Sequence, residues 1–227
     1  MSTQSAEAYV TKRYRFWRTA AVDFDYKHRK GTRIAQIMRE TGGLEPLVLE
    51  LGVGPGGVAV SVSREGVRVV GIDISPDALD RAKEHCRLHQ VRLLRASGFQ
   101  LPFRDESFPL IYASQVLHLV DSAERLAMMQ EAYRVLKPGG RFVFDMKNIW
   151  SHPLRFLRAT AARRRTNFPS HSEVVALLRR CGFAGIIRRA GVLPFAHWAK
   201  VPNVALLRQV AHTTFFVAWR PEGSLRR

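Results

Sequence analysis

Glu50, Gly52, Gly54, Gly56, Gly57 and Asp73 are residues whose types and spacing could do chemistry. The apolar run Val48-Leu49-Glu50-Leu51 breaks at Gly52-Val53-Gly54-Pro55-Gly56-Gly57. Glycines there let the backbone take positive φ and come close to a ligand. A second apolar run, Val67-Arg68-Val69-Val70-Gly71-Ile72, ends in Asp73, 21 positions after Gly52. Strand, glycine turn, helix and second strand ending in a carboxylate is an arrangement that grips ribose hydroxyls. The pattern implies a nucleoside-containing cofactor. Gly52, Gly54 and Gly57 also satisfy G-x-G-x-x-G, so these residues alone leave hydride transfer and methyl transfer both open.

The elements that must position these residues follow from periodicity and turn chemistry. Residues 1–45 read as helical, with Ile34, Ile37 and Met38 at helical spacing before Gly42-Gly43 stops the pattern. Strand one covers 47–51, and its helix starts after Pro55. Strand two covers 67–72. Ser75 as N-cap and Pro76 at the first helical position open a helix reaching about His89. Strand three spans 91–95 and strand four 109–114; a helix follows over 122–136. Pro138-Gly139-Gly140 turns the chain into strand five, 141–146. A helix over 170–181, closed by Gly182, precedes strand six at 183–190, and strand seven is 213–219. Short apolar runs alternating with helical stretches indicate an α/β fold with a doubly covered, mostly parallel sheet.

At 227 residues and 46% hydrophobic content the chain suits one such domain with an ordinary core. No run approaches the roughly 18 apolar residues of a membrane span, and the N-terminus lacks an apolar signal region. The chain therefore reads as soluble and cytoplasmic. Cys86 and Cys181, each in a helical pattern beside arginines, read as reduced thiols without a disulfide. The net charge of +17 comes from 36 basic residues, mostly arginine, against 19 acidic ones. It fits a solvated basic face, coding bias, or an acidic partner or substrate.

Three further features bear on the cofactor. About 45 residues precede the glycine turn. The third apolar run is followed by Leu101-Pro102-Phe103-Arg104-Asp105-Glu106-Ser107-Phe108, and later by Arg134-Val135-Leu136-Lys137-Pro138-Gly139-Gly140-Arg141-Phe142-Val143. In this order and spacing the chain, from about residue 45 to its end, resembles the class I S-adenosylmethionine-dependent methyltransferases of the small-molecule, type 11-like group. The resemblance implies a Rossmann-like seven-stranded sheet in the order 3-2-1-4-5-7-6 with the last strand antiparallel. It implies a methyltransferase domain over 46–227. Residues 1–45, unusually aromatic at Tyr9, Tyr14, Phe16, Trp17, Phe24 and Tyr26, would form a helical cap on the cofactor pocket.

The resemblance also distributes roles around S-adenosyl-L-methionine. Gly52, Gly54 and Gly56 line its methionine part, Glu50 helps receive the ammonium, Asp73 takes the ribose hydroxyls, and Ile74 packs on adenine. Ser97 stands where many relatives carry an Asp that contacts the adenine amine, and a hydroxyl accepts that bond less strongly. Gly98 and Phe99 complete the adenine pocket, and Ser114, ending strand four, belongs to the cofactor set. Pro109 replaces the usual Asp of Ser-Phe-Asp. Because proline cannot donate to a strand ladder, the start of strand four should be irregular.

Methyl transfer asks chiefly for in-line positioning, with a base only when the acceptor must lose a proton. His118, in Ser114-Gln115-Val116-Leu117-His118-Leu119-Val120, is the candidate base; Asp145, Lys147 and Asn148 end strand five near the expected acceptor side. His85 and His89 share a helix face, but no further ligand completes a metal site, so they read as a surface pair. Asn-Pro-Pro-Tyr and a Pro-Cys nucleophile are missing from strand four, which argues against methylating a nucleic-acid base despite the charge. A nicotinamide oxidoreductase would share the glycine turn but leave the Leu-Pro-Phe and Lys-Pro-Gly-Gly motifs unexplained. The reading is methyl transfer to a small molecule, at oxygen ahead of carbon or nitrogen. Leu154, Leu157 and Ala161 fall on one helical face bordered by Arg155, Arg158 and Arg163-Arg164-Arg165. That border suits an anionic or lipid-like acceptor, or an anionic membrane surface.

Overall fold

In a computed structural model, the structure describes residues 21–147, 169–192 and 213–223. The apolar runs form β1 (Leu47–Leu51), β2 (Arg68–Asp73), β3 (Val91–Arg95), β4 (Phe108–Ala113), β5 (Leu136–Lys147), β6 (Ala184–Val192) and β7 (Thr213–Trp219). They make one seven-stranded sheet in the order β3-β2-β1-β4-β5-β7-β6. β2 runs parallel to β1 and β3, and β4 to β5, whereas β7 is antiparallel to both neighbours. The α/β architecture implied by the resemblance is the one observed. Five helices accompany the strands among the described residues: α1 (Phe24–Glu40), α2 (Gly57–Ser63), α3 (Pro76–Cys86), α4 (Ser122–Val135) and α5 (His171–Arg180). None is long and apolar enough to cross a membrane. By their contacts the residues divide into two compact units, one through Gln100 and one from Leu101.

In the first unit, Val48, Leu49, Leu51 and Ile72 are fully buried, which is why their strands read as near-continuous apolar runs. Asp23 caps α1, its carboxylate accepting from the Tyr26 amide at 2.8 Å. Ile34, Ile37 and Met38 face inward. The helix ends where the Gly43 amide returns to the Met38 carbonyl at 3.1 Å. α1 lies directly on α2. A Cβ on Gly31 would stand 2.5 Å from the Cβ of Ser61, so only glycine allows this approach. Ser75 caps α3 as its sequence promised, accepting from the Ala78 amide at 3.3 Å, with Pro76 in the first turn. α3 stops at Cys86, three residues before the predicted end. The Gln90 amide instead bonds Ser63 Oγ at 3.0 Å, which pulls the chain into β3.

In the second unit, two arginines explain the motifs that carried the resemblance. Arg134 donates to the carbonyls of Leu101 (3.0 Å) and Phe103 (2.9 Å) and pairs with Asp105 and Glu131. Glu131 in turn accepts from the Leu101 amide at 2.6 Å. Arg220, beyond β7, donates to the Leu136 carbonyl at 2.8 Å and pairs with Glu106. The Leu101–Glu106 stretch and the start of β5 are thereby tied to one helix end. β5 begins at Leu136 rather than Arg141: Gly139 and Gly140 exchange backbone bonds with Arg220 at 2.9 Å, so the predicted turn stays within the ladder. The β4–β5 register shifts between Phe108 and Leu110, which is the irregularity expected from Pro109. β6 starts one residue late because Phe183 folds back, its amide bonding the Leu178 carbonyl at 3.0 Å behind Gly182. Asn148 and the arginine-bordered stretch 149–165 lie outside the described residues.

Candidate cofactor and active site

Beyond β1 the chain makes a tight turn in which Gly52, Gly54 and Gly56 all take left-handed backbone, with φ of 69°, 54° and 87°. The Val53 amide still bonds the Ile72 carbonyl at 2.8 Å, holding the turn at the carboxyl end of β2. There Asp73 closes it. One carboxylate oxygen accepts from the Gly54 amide and the other from the Ser75 amide, each at 2.9 Å. Asp73 is only 7% exposed, and this burial pushes its carboxyl pKa above the ordinary value although the amides of Ser75, Gly54 and Ile74 oppose it. A carboxylate offers about four acceptor positions. The two oxygens therefore keep capacity for a vicinal pair of ribose hydroxyls. The residues present fit a nucleoside cofactor at this place.

Glu50, paired in register with Gly71, is 1% exposed. Behind the turn, burial and, secondarily, the Glu50 charge push the Cys86 thiol up to about 12. A Cβ on Gly56 would fall 2.5 Å from Cys86 Sγ, and one on Gly57 would fall 2.7 Å from Lys27 Cβ. These two glycines answer to packing on α3 and α1, a requirement the motif does not disclose. Ile74 is half-buried. The Ala96 amide bonds the Asp73 carbonyl at 3.1 Å, which brings Ser97, Gly98 and Phe99 to the same sheet end. Ser97 Oγ accepts from the Phe99 amide at 3.2 Å, so its hydroxyl shapes the turn and keeps one lone pair and its proton for other partners.

The second unit places Ser114 and His118 on the segment after β4. Ser114 is 5% exposed, and its Oγ has no hydrogen-bond partner among the described residues. Gln115 adopts φ 58°, a left-handed conformation unusual for a side-chain-bearing residue, and its amide donates to Asp145 Oδ1 at 2.7 Å. Such strain, held by a buried carboxylate at the end of β5, is typical of functional sites. His118 is 6% exposed. Its loop is fixed from below by Arg125, whose Nε donates to the Leu117 carbonyl at 2.8 Å and whose Nη2 donates to that of Val120 at 2.9 Å. In a chain this rich in arginine, nothing in the sequence marks Arg125. Ser75 is the second anchor of Asp73, and the signal for it in the sequence is Asp-x-Ser before a proline-led helix.

The remaining candidates resolve differently. Cys86 and Cys181 are both free thiols. Among the described residues no group of three His, Cys, Asp or Glu converges as metal ligands. The surface-pair reading of His85 and His89 needs correction: the His85 ring stacks on Phe24 at 4.0 Å, and its Nε2 is buried.

Comparison with known proteins bears on the same residues. A family model described as a methyltransferase domain matches residues 49–144. A demethylmenaquinone methyltransferase of Tropheryma whipplei is 40% identical over 122 residues, covering 54% of this chain and 48% of that protein. An uncharacterized methyltransferase of Synechocystis is 36% identical over 112 residues, 48% of this chain and 52% of the relative. The chain thus spans about half the length of the curated relatives it matches. Among solved structures, a possible histamine N-methyltransferase from Thermotoga maritima superposes with a TM-score of 0.64 at 20% identity, covering 94% of this chain and 97% of that one. A Haemonchus contortus phosphoethanolamine N-methyltransferase, solved with phosphomonomethylethanolamine and S-adenosylhomocysteine, gives 0.65 at 19% identity, covering 83% and 52%. Motifs, sheet order and sequence match agree: over residues 49–144 the chain is similar to the methyltransferase domain of class I, S-adenosylmethionine-dependent enzymes.

Proposed function

We propose that the protein transfers a methyl group from S-adenosylmethionine to a small-molecule acceptor at oxygen, with Asp73 holding the ribose and His118 taking the acceptor proton. The observation that carries this reading is the Asp73 carboxylate fixed between the Gly54 and Ser75 amides beside a left-handed glycine turn. The bound cofactor supplies an electrophilic methyl on a sulfonium that is already a good leaving group. What this chain must add is placement. Gly52, Gly54 and Glu50 orient the methionine end, Asp73 and Ile74 the nucleoside, and Ser97, Gly98 and Phe99 the base. His118 would accept the acceptor's hydroxyl proton, leaving that oxygen to take the methyl group that the cofactor would supply. The buried hydroxyl of Ser114, without a hydrogen-bond partner among the described residues, and the strained Gln115 support a ligand site beside His118.

The relatives' names support a small-molecule acceptor: one is named for demethylmenaquinone and one structure holds phosphomonomethylethanolamine. The net charge of +17 favours an acceptor, or a surface presenting it, that is anionic. Incubation with isotopically labelled S-adenosylmethionine and a metabolite extract should yield a product heavier by one labelled methyl. Titration with S-adenosylhomocysteine should show binding, and titration with NAD none. Binding of NAD alone would replace methyl transfer by hydride transfer.

A further inference from the structure

Phe24, His28 and His85 form a three-ring cluster where α1 meets α2 and α3, at the back of the cofactor turn. The His85 ring stacks on Phe24 at 4.0 Å, and the His28 ring lies 5.3 Å from that of His85. His28 Nδ1 is 2.9 Å from Ser61 Oγ on α2. Ser61 Oγ also reaches the carbonyls of His28 (3.2 Å) and Gly57 (3.3 Å), so one hydroxyl joins the first turns of α1 to α2. α2 starts immediately after Gly56, and Gly57 sits against Lys27 and Phe24. Whatever displaces α1 therefore acts on the glycine turn.

We propose that this cluster is a proton-operated latch: acidification frees α1 from α2 and α3 and so loosens the turn that holds the cofactor. The groups around the rings favour the neutral state. From α2's C-cap comes Arg64, from beyond α3 comes His89, and each opposes a charge on both His28 and His85, while His28 also opposes a charge on His85. Asp25, on α1 itself, is the carboxylate whose field favours a charge on His28. Arg81 and Glu84 of α3 flank Phe24 and His85 with opposite signs. Burial lowers both imidazoles below the ordinary histidine value, so the freed helix binds protons more readily than the docked one. Docking is then strongest above the ordinary value of about 6.5 and weakens as pH falls below it.

The test is amide hydrogen exchange of α1 and α2 in the full chain at about pH 7.5 and about pH 5.5, corrected for intrinsic exchange. Each histidine whose docked form resists protonation should raise the opening constant over this range by at most about tenfold, and the two together by at most about a hundredfold. His28→Gln with His85→Phe keeps the hydrogen bond and the stack but cannot titrate, so α1 exchange should become independent of pH. Either single variant should remove its own share, which keeps the test decisive if the double variant does not fold. Wild-type affinity for S-adenosylhomocysteine should fall over the same range, and that of the double variant should fall less. Wild-type α1 exchange indifferent to pH, or equally sensitive in the variants, overturns the latch. So does a wild-type affinity that ignores the release of α1. The cofactor coupling rests on the glycine-turn site proposed above. If Asp73→Ala leaves affinity intact at about pH 7.5, that site reading fails, while α1 exchange still judges the latch.

Discussion

At Asp73 the desolvation of a buried carboxylate is set against backbone amides that need it. Removing the side chain leaves the Gly54 and Ser75 amides without their acceptor and, on the proposed function, takes a charged partner from the ribose. Asp73→Ala should weaken S-adenosylhomocysteine binding by about 1.5–3 kcal/mol, roughly a ten- to hundredfold rise in Kd. Calorimetry measures this directly, and an unchanged affinity would remove Asp73 from the ribose site. Ser97→Asp keeps an acceptor for the Phe99 amide while adding charge, so it should tighten binding or leave it unchanged; a clear loss would mean that Ser97 does not occupy the adenine position. His118→Ala should lower turnover of an identified acceptor about 10²–10⁴-fold with cofactor affinity unaltered. A loss below tenfold would reduce His118 to a positioning role. At this scale the glycine turn and the carboxylate that closes it were legible because left-handed backbone and a strand-ending acid demand particular residue types at particular spacing. The sequence did not show Arg125 or the Asp145–Gln115 bond. Those contacts depend on which loop carbonyl or amide a common side chain happens to reach, and no local pattern encodes that.

Among the elements, the α1–α2 contact sets two opposing effects on one residue. Gly31 lies inside a helix, where alanine would ordinarily gain up to about 1 kcal/mol. Its Cβ would however stand 2.5 Å from Ser61 Cβ and 2.9 Å from the Val58 carbonyl, neither of which can swing aside. Overpacking of this kind costs typically about 1–3 kcal/mol. The clash should win, and Gly31→Ala should lower Tm by roughly 2–8 °C in a chain of this size. Ser61→Gly in the same background should restore part of the loss. A Gly31→Ala protein as stable as the wild type would show that the two helices separate easily. Elements were legible where a cap or a run of buried aliphatics fixed them, as at Ser75-Pro76 and β1. They were misread where a distant residue completed the ladder. Arg220 is what keeps Gly139 and Gly140 in β5, and Ser63 is what ends α3 early. The same limit applies to His85, whose stacking partner Phe24 is 61 positions away in sequence.

Over the whole molecule, the formal charge is +17. Arg134, Arg125 and Arg220 are consumed by carbonyls and carboxylates inside the second unit. In the sequence, Arg163-Arg164-Arg165 follow a stretch in which Leu154, Leu157 and Ala161 share a helical face by spacing. An apolar stripe with a basic border suits contact with an anionic interface, where each basic residue adds about 1 kcal/mol near the surface. Vesicles containing anionic lipid should therefore recruit the protein, and vesicles of neutral lipid should not. Because the attraction is electrostatic, recruitment should weaken as ionic strength rises and the screening length falls below about 10 Å. Charge reversal at Arg163, Arg164 and Arg165 together should abolish recruitment, while S-adenosylhomocysteine affinity, which the proposed function assigns to the glycine turn and Asp73, stays at the wild-type value. Co-sedimentation with the two vesicle types, repeated across a salt series, measures all three expectations. Equal indifference to both vesicles would assign the acceptor to solution, and recruitment insensitive to salt would make the apolar face, not the arginines, the source of the attraction.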